Sequence, residues 1–343
     1  MRALRLHKPY DFRMHDEPVP EPQPGWVTIQ VKSVGVCASD VHWYKDGRIG
    51  NTVMTDPIIL GHEASGMITA LGDGVEDLKA GDRVAIEPAK PCMECEFCRA
   101  GHFNVCPGIP FFGTPPTDGC LRDYITWPAS LAVRIPDNVS FDEAAMVEPL
   151  AVGVYAAELA AIDPGDIIAI LGSGAIGLST LQAARIAGAS RIIVSDPIPA
   201  RGRAALKLGA DEAVEPSGLA DAVARETNGR GVDIAFECSG SEEAVRQSCE
   251  IARVLGKMMI LGIPDRDTYP FAASPSRRKQ LTALFVRRSN LTTEKSIEWV
   301  SEGKVDVKSY ASHHFSLEQT KEAMDLAATR GDGLIRAVIV VNG

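Results

Sequence analysis

From Trp26 to Lys32 the chain alternates apolar Val27, Ile29 and Val31 with polar Thr28, Gln30 and Lys32. That is the two-residue period of a half-buried strand. Pro18, Pro20, Pro22 and the Pro24-Gly25 pair lead into it as extended chain and turn. Shorter apolar runs follow at 66–71, 83–86 and 132–135, each bounded by Gly, Pro or Asp. They predict a small, irregular β domain over the first 150 residues. Ser140 followed by Glu143 is a capping-box pattern, opening a helix that leaves this region around Pro149.

After Asp163-Pro164-Gly165 the pattern changes to strand, turn and helix in repeated alternation, with candidate strands at 167–171, 192–195, 212–214, 232–237, 258–261 and 281–286. Six such strands make a doubly wound parallel sheet, so the fold class is α/β. The tail returns to helix, opened by Ser316 and Gln319, and to a closing strand near 337–341. The expected organisation is a β-rich domain over 1–149, completed by 288–343, around a parallel-sheet domain over 150–287. The active site is expected in the cleft between them. A chain of 343 residues is long enough for both.

Composition then narrows the function. With 45% hydrophobic and 23% charged residues the chain reads as an ordinary globular protein. Its 35 basic and 45 acidic residues give a net charge of -10, which argues against a nucleic-acid partner. The run 167–184 is uncharged, but its glycines, Ser173, Ser179, Thr180 and Gln182 speak against a membrane span. The charged N-terminus lacks the apolar core of a signal peptide, so a cytoplasmic location is expected. Eight cysteines in a large chain of that kind point to metal binding before disulfides.

Gly172-Ser173-Gly174-Ala175-Ile176-Gly177 follows the 167–171 strand and opens a helical run ending near Gly188. The glycines permit a tight turn and close helix packing, and free N–H groups at the helix start suit a pyrophosphate. Asp196, 19 residues after Gly177, ends the second strand, where a carboxylate can accept from the adenosine ribose hydroxyls. That carboxylate favours NAD over NADP. Gly172, Gly174, Ile176, Gly177 and Asp196 are the candidate cofactor residues.

Cys92, Cys95, Cys98 and Cys106, with two, two and seven residues between them, can close a tetrahedral shell around a structural zinc. Cys37, His62 and Glu63 form a second set: one thiol, one imidazole and one carboxylate suffice for a catalytic zinc with an open position. Neighbouring strand side chains point to opposite faces, so His62 and Glu63 converge only if the backbone kinks between them. From the residues alone, a buried cysteine beside a satisfied histidine fits equally well.

Gly61-His62-Glu63-x-x-Gly66-x5-Gly72-x2-Val75, followed by Gly81-Asp82-Arg83-Val84, resembles the zinc signature of the medium-chain alcohol dehydrogenase superfamily. With the cysteine loop and the glycine turn in the same order, the resemblance spans essentially the whole chain. Within the superfamily the chain is most similar to the sorbitol and related polyol dehydrogenases. The residues that carry this are Cys37-Ala38-Ser39-Asp40-Val41-His42-Trp43, Gly47-Arg48-Ile49-Gly50-Asn51, Thr114-Pro115-Pro116-Thr117-Asp118-Gly119 and Val147-Glu148-Pro149-Leu150.

The resemblance implies a GroES-like catalytic domain joined to a Rossmann domain, one catalytic and one structural zinc, NAD as cofactor and a homotetramer. It makes Cys37, His62 and Glu63 the catalytic zinc ligands, with Glu148 at or just outside the shell, and Ser39 and His42 a proton relay. Arg201 would join Asp196 at the ribose. Trp43, where the family usually has Tyr, would line the substrate pocket with Phe112, Thr114, Glu148 and Arg287. The implied reaction is reversible oxidation of a secondary hydroxyl of a sugar alcohol to a ketose. Oxidation of threonine or a butanediol is the enzymatic alternative. A nucleotide-binding structural protein without activity is a further one, opposed by the joint presence of Cys37, Ser39, His42, His62, Glu63 and Glu148.

Overall fold

The computed structural model describes residues 1–342 and divides the chain into two compact units. One is Met1–Glu148 with the tail from Thr293 onward, and the other is Pro149–Thr292. No helix among the described residues is long and apolar enough to cross a membrane.

The first unit is built on a seven-stranded sheet. Its path runs Ala132–Arg134, Arg83–Ile86, Glu63–Leu71, Trp26–Gly35, Arg336–Val340 and Ala311–Ser316, and Tyr124–Pro128 also pairs with Trp26–Gly35. The closing strand of the tail is thus inserted beside the central strand, antiparallel, with Val338 opposite Gly35. Trp26–Gly35 is more deeply buried than its alternation predicts. Val27, Ile29 and Val31 enter the core, and Thr28 is also 2% exposed, its hydroxyl donating to Pro20 O. The proline-rich lead-in covers the face that would otherwise meet water.

Glu63–Leu71 crosses this central strand with register shifts, one of them beside the Val31–Gly66 pair. The crossing depends on Gly66: a Cβ there would lie 2.3 Å from Gln30 O and 2.6 Å from an Ile29 methyl. The second glycine of the zinc-signature motif is therefore a packing requirement, and it fixes the strand that Glu63 opens.

The second unit is a six-stranded sheet in the order Glu212–Val214, Arg191–Ser195, Ile167–Leu171, Val232–Glu237, Ala252–Ile260 and Thr282–Phe285, every pair parallel. Strands buried on both faces need near-continuous apolar sequence, and Val232–Glu237 is buried at every position. The strand order reverses between Ile167–Leu171 and Val232–Glu237, the switch point at which open α/β sheets bind ligands. The strand expected at 258–261 begins at Ala252 instead. Its early part carries exposed Val254 and Leu255, so apolar burial gave no signal for it.

Gly66→Ala tests the strand crossing. The added methyl should destabilise the fold by about 1–3 kcal/mol through overpacking against backbone. Urea unfolding should show a lower midpoint at an unchanged slope.

Candidate active site and metal centres

Cys37, His62 and Glu63 each offer a ligand atom within 4.8 Å of the others. Cys37 caps the helix Ala38–Asp46 in a capping box with Asp40. Asp40, 1% exposed, accepts Cys37 N–H at 3.0 Å through Oδ2 and Gly61 N–H at 3.1 Å through Oδ1. Its Oδ1 also lies 3.5 Å from His62 Nδ1. One carboxylate therefore ties the start of the helix to the turn that presents the imidazole. Gly61 supplies the required kink: at φ +91° it turns the chain just before His62, and the regular strand starts only at Glu63.

Glu63 is fully buried, with Oε1 3.0 Å from Arg336 Nη2. Arg336 is itself held by donating to Val36 O at 2.9 Å. Neither Glu63 oxygen accepts a hydrogen bond of good geometry. Both buried oxygens thus keep lone pairs for a cation, which is what a ligand carboxylate requires. Burial pulls the His62 pKa down, but Asp40 and Cys37 outweigh it and hold the imidazole well above its ordinary value. Glu148 is not among the converging three. Burial, with the charges of Glu63 and Glu87, outweighs the pull of His62 and Arg336 and brings its carboxyl up to about 8. Three donors without a fourth leave an open position, so the set fits a catalytic zinc.

Ser39 and His42 lie three residues apart on the Ala38–Asp46 helix, hence on one face, both partly exposed. His42 Nδ1 is 3.7 Å from Asp46 Oδ2. Trp43 is 1% exposed and Phe112 2%, both inside the first unit's apolar core, where Phe112 packs on Trp127 with ring centres 3.9 Å apart. The ring beside His62 is Phe111, at 5.1 Å. Thr114 sits in the turn just beyond, its N–H donating to Phe111 O. Arg287 is exposed and belongs to the second unit.

Cys92, Cys95, Cys98 and Cys106 converge within 4.8 Å around the short helix Glu96–Arg99. Backbone N–H groups of Cys92, Cys95 and Cys98 point at the sulfurs of Cys106, Cys92 and Cys95, at 3.3–3.4 Å. The Glu94 and Cys95 backbones bring the Cys92 thiol down to about 6, whereas desolvation pushes Cys98 up to about 12. Four sulfurs with N–H donors aimed at them suit a closed tetrahedral zinc.

In the second unit, Gly172 turns at φ +98°, and a Cβ on Gly177 would lie 1.9 Å from Gly172 O. Gly174 caps the helix Ala175–Ala187, with Ile176 partly exposed in its first turn. Asp196 grips this turn: Oδ2 accepts Ser173 N–H and Oδ1 accepts Ile198 N–H, each at 2.8 Å. Arg201 reaches the same place, its Nη1 3.8 Å from where a Cβ on Gly174 would stand.

Asp40, Arg336 and Phe111 are the site residues that sequence reasoning missed. The Cys37-x-x-Asp40 capping pattern could have found the first. Nothing local marks Arg336, which comes from the tail strand.

Residues 23–137 match the alcohol dehydrogenase GroES-like domain family, and residues 175–302 match the zinc-binding dehydrogenase family. The chain is 38% identical to sorbitol dehydrogenase of Bacillus subtilis over 345 residues, covering 100% of this chain and 98% of that protein. It is 39% identical to D-xylulose reductase of Morganella morganii over 305 residues, 88% of this chain and 90% of that one. A solved oxidoreductase of unknown specificity from Escherichia coli superposes with a TM-score of 0.94 at 34% identity, covering 100% and 99% of the two chains.

If Asp40 orients both Cys37 and His62, Asp40→Ala should weaken metal binding at the three-residue group by about 10–100-fold and leave the four-cysteine metal in place. Metal analysis after graded chelator treatment reads this directly. Equal retention at both sites in wild type and variant would remove the orienting role.

Proposed function

The chain belongs to the zinc-dependent medium-chain alcohol dehydrogenase family, and from that premise we propose that it oxidises a secondary hydroxyl of a sugar alcohol to a ketose, reversibly, with NAD. The observation that carries this is the convergence of Cys37, His62 and Glu63 in a chain so similar, end to end, to a sorbitol dehydrogenase and a xylulose reductase. Residues 1–149, completed by 288–343, carry the metal chemistry, and 150–287 bind the dinucleotide.

Cys37, His62 and Glu63 would hold a zinc whose chemistry is to lower the pKa of an alcohol hydroxyl, and the glycine turn would hold NAD as the hydride acceptor. The chain's own residues do the rest. Ser39 Oγ accepts the hydroxyl proton as it gives its own to His42, which passes it outward, a path their shared helix face allows. Phe111, packed on His62, walls the site on one side. Glu148 orients polar groups beside the metal. Cys92, Cys95, Cys98 and Cys106 would hold a second zinc, whose closed shell would brace their loop.

Asp196 and Arg201 recognise the adenosine ribose, with Gly172, Gly174, Ile176 and Gly177 around the pyrophosphate. Five cysteines assigned to zinc and three more outside any disulfide suit a reducing cytoplasm. Association into a homotetramer is supported by the open edge at Thr282–Phe285, where Phe285 is 57% exposed, and by Leu291 nearby in sequence, 76% exposed.

A panel of sorbitol, xylitol, 2,3-butanediol, threonine and ethanol, each with NAD and with NADP, tests the reading. The highest kcat/KM should fall to a polyol with NAD. Threonine, butanediol or ethanol outpacing every polyol would overturn the substrate class.

Asp196→Ala separates the cofactor claim from the turn it holds. KM should rise more for NAD than for NADP, because a ribose acceptor is lost while repulsion of a ribose phosphate is relieved. Equal rises would show that the carboxylate acts only through Ser173 and Ile198.

A further inference from the structure

Glu237 ends the Val232–Glu237 strand directly abreast of Leu171, the last residue before the glycine turn. One residue on, Cys238 N–H donates to Leu171 O at 2.8 Å, the last rung joining the two strands. Past that rung the chains part, one into the glycine turn and the other into the loop 238–241 that leads to the helix Glu242–Ile251. These two segments flank the point where the strand order reverses, so the loop forms the wall of the crevice opposite the turn.

That wall is shaped by one side chain. Glu237 is fully buried, and its Oε1 accepts Ser239 N–H at 2.8 Å, Ser239 Oγ–H at 2.6 Å and Gly240 N–H at 2.9 Å. Oε2 has no hydrogen-bond partner. The ion pairs of this strand involve Asp233, at its other end. The loop thus folded lies hard against its neighbours on both sides. A Cβ on Gly172 would stand 2.9 Å from Ser239 Cβ, and one on Gly240 would stand 2.2 Å from Ile263 O. With so little clearance, a shift of Ser239 carries over to Gly172 and the glycine turn.

We propose that Glu237 is a positioning residue for the dinucleotide: by collecting three donors on one carboxylate oxygen it sets the 238–241 loop against Gly172, and so fixes the width of the crevice that receives the cofactor. The inference rests on the dinucleotide reading of the glycine turn. It also explains why a carboxylate is kept at a dry strand end. Burial raises its pKa from the ordinary carboxylate value, against the pull of the donors from Ser239 and Gly240. A neutral acceptor would be easier to bury, but ionised acceptors bind N–H and O–H groups more tightly.

The test uses the full chain with its metals. NADH binding is followed by fluorescence for wild type, Glu237→Gln and Ser239→Ala, beside melting temperature and steady-state kinetics. Glu237→Gln keeps the size and weakens the donors' hold. It should raise the Kd for NADH about tenfold, and Ser239→Ala should raise it less. The effect should appear in KM for NAD rather than in kcat at saturating NAD. Because each acts through the other, the double variant should fall short of the product of the single effects. A folded Glu237→Gln with wild-type Kd and only a lower melting temperature overturns the proposal. If that variant does not fold, Ser239→Ala decides: a raised Kd supports the proposal and an unchanged one overturns it. Wild-type chain that binds no NADH would sink the dinucleotide reading itself, and this inference with it.

Discussion

Two of the three candidate metal ligands of the first unit, Cys37 and His62, stand outside regular strand pairing, so their geometry depends on Asp40. Cys37 stands at the end of a strand and the start of a helix, and His62 stands one residue before another strand. Their neighbouring N–H groups, at Cys37 and Gly61, have no ladder to donate into. Asp40 accepts both and adds a contact to His62. Burying a lone carboxylate costs several kcal/mol, and the N–H donors of Cys37 and Gly61 offset that cost for Asp40. The requirement runs both ways: the carboxylate needs these donors, and their positions place the thiol and the imidazole together.

Close backbone approach is the second constraint. Gly66 lets one strand cross another, and Gly172 and Gly177 let a helix start against the turn that precedes it. Each of these glycines belongs to a sequence motif that also carries chemistry. The motif is therefore partly a record of packing, with the reactive residues spaced by what the backbone crossing allows.

Much of this could be read from the chain. Strands at Arg83–Ile86, Ile167–Leu171, Glu212–Val214 and Val232–Glu237 have the bounds their apolar runs predict. The four-cysteine group comes together as its spacing suggests, and so do Cys37, His62 and Glu63, which the residues alone left open and the family resemblance grouped. The helix Ala38–Asp46 was silent because its buried face is Asp40, Trp43 and Tyr44, which is no apolar stripe. Its last part is fixed by Tyr44 Oη–H donating to Asp325 in the tail, and no local pattern reports a contact so distant in sequence. The same holds for Arg336 beside Glu63. Phe111 and Phe112 are adjacent and chemically identical, so only the backbone decides which ring meets His62 and which meets Trp127.

Carboxylates at the two ends of one strand show how the second unit separates stability from binding. Asp233, near the start of Val232–Glu237, accepts Ile167 N–H and is flanked by Arg230 and Arg253. Burial pushes its pKa up, but the two arginines and the backbone donor bring it down to about 2. A pKa depressed in the folded state stabilises the fold above the unfolded carboxylate value, and that contribution is lost as pH falls toward 2. It is thus fully present at neutral pH. Glu237, at the other end, uses backbone and hydroxyl donors in place of arginine. Asp196 does the same with Ser173 and Ile198. At the strand ends that face the glycine turn, buried carboxylates are thus satisfied by neutral loop donors. Neutral loop donors there take the place that Arg230 and Arg253 hold at Asp233. The same residue type serves as a charge-paired brace at one end of the sheet and as a loop former at the other.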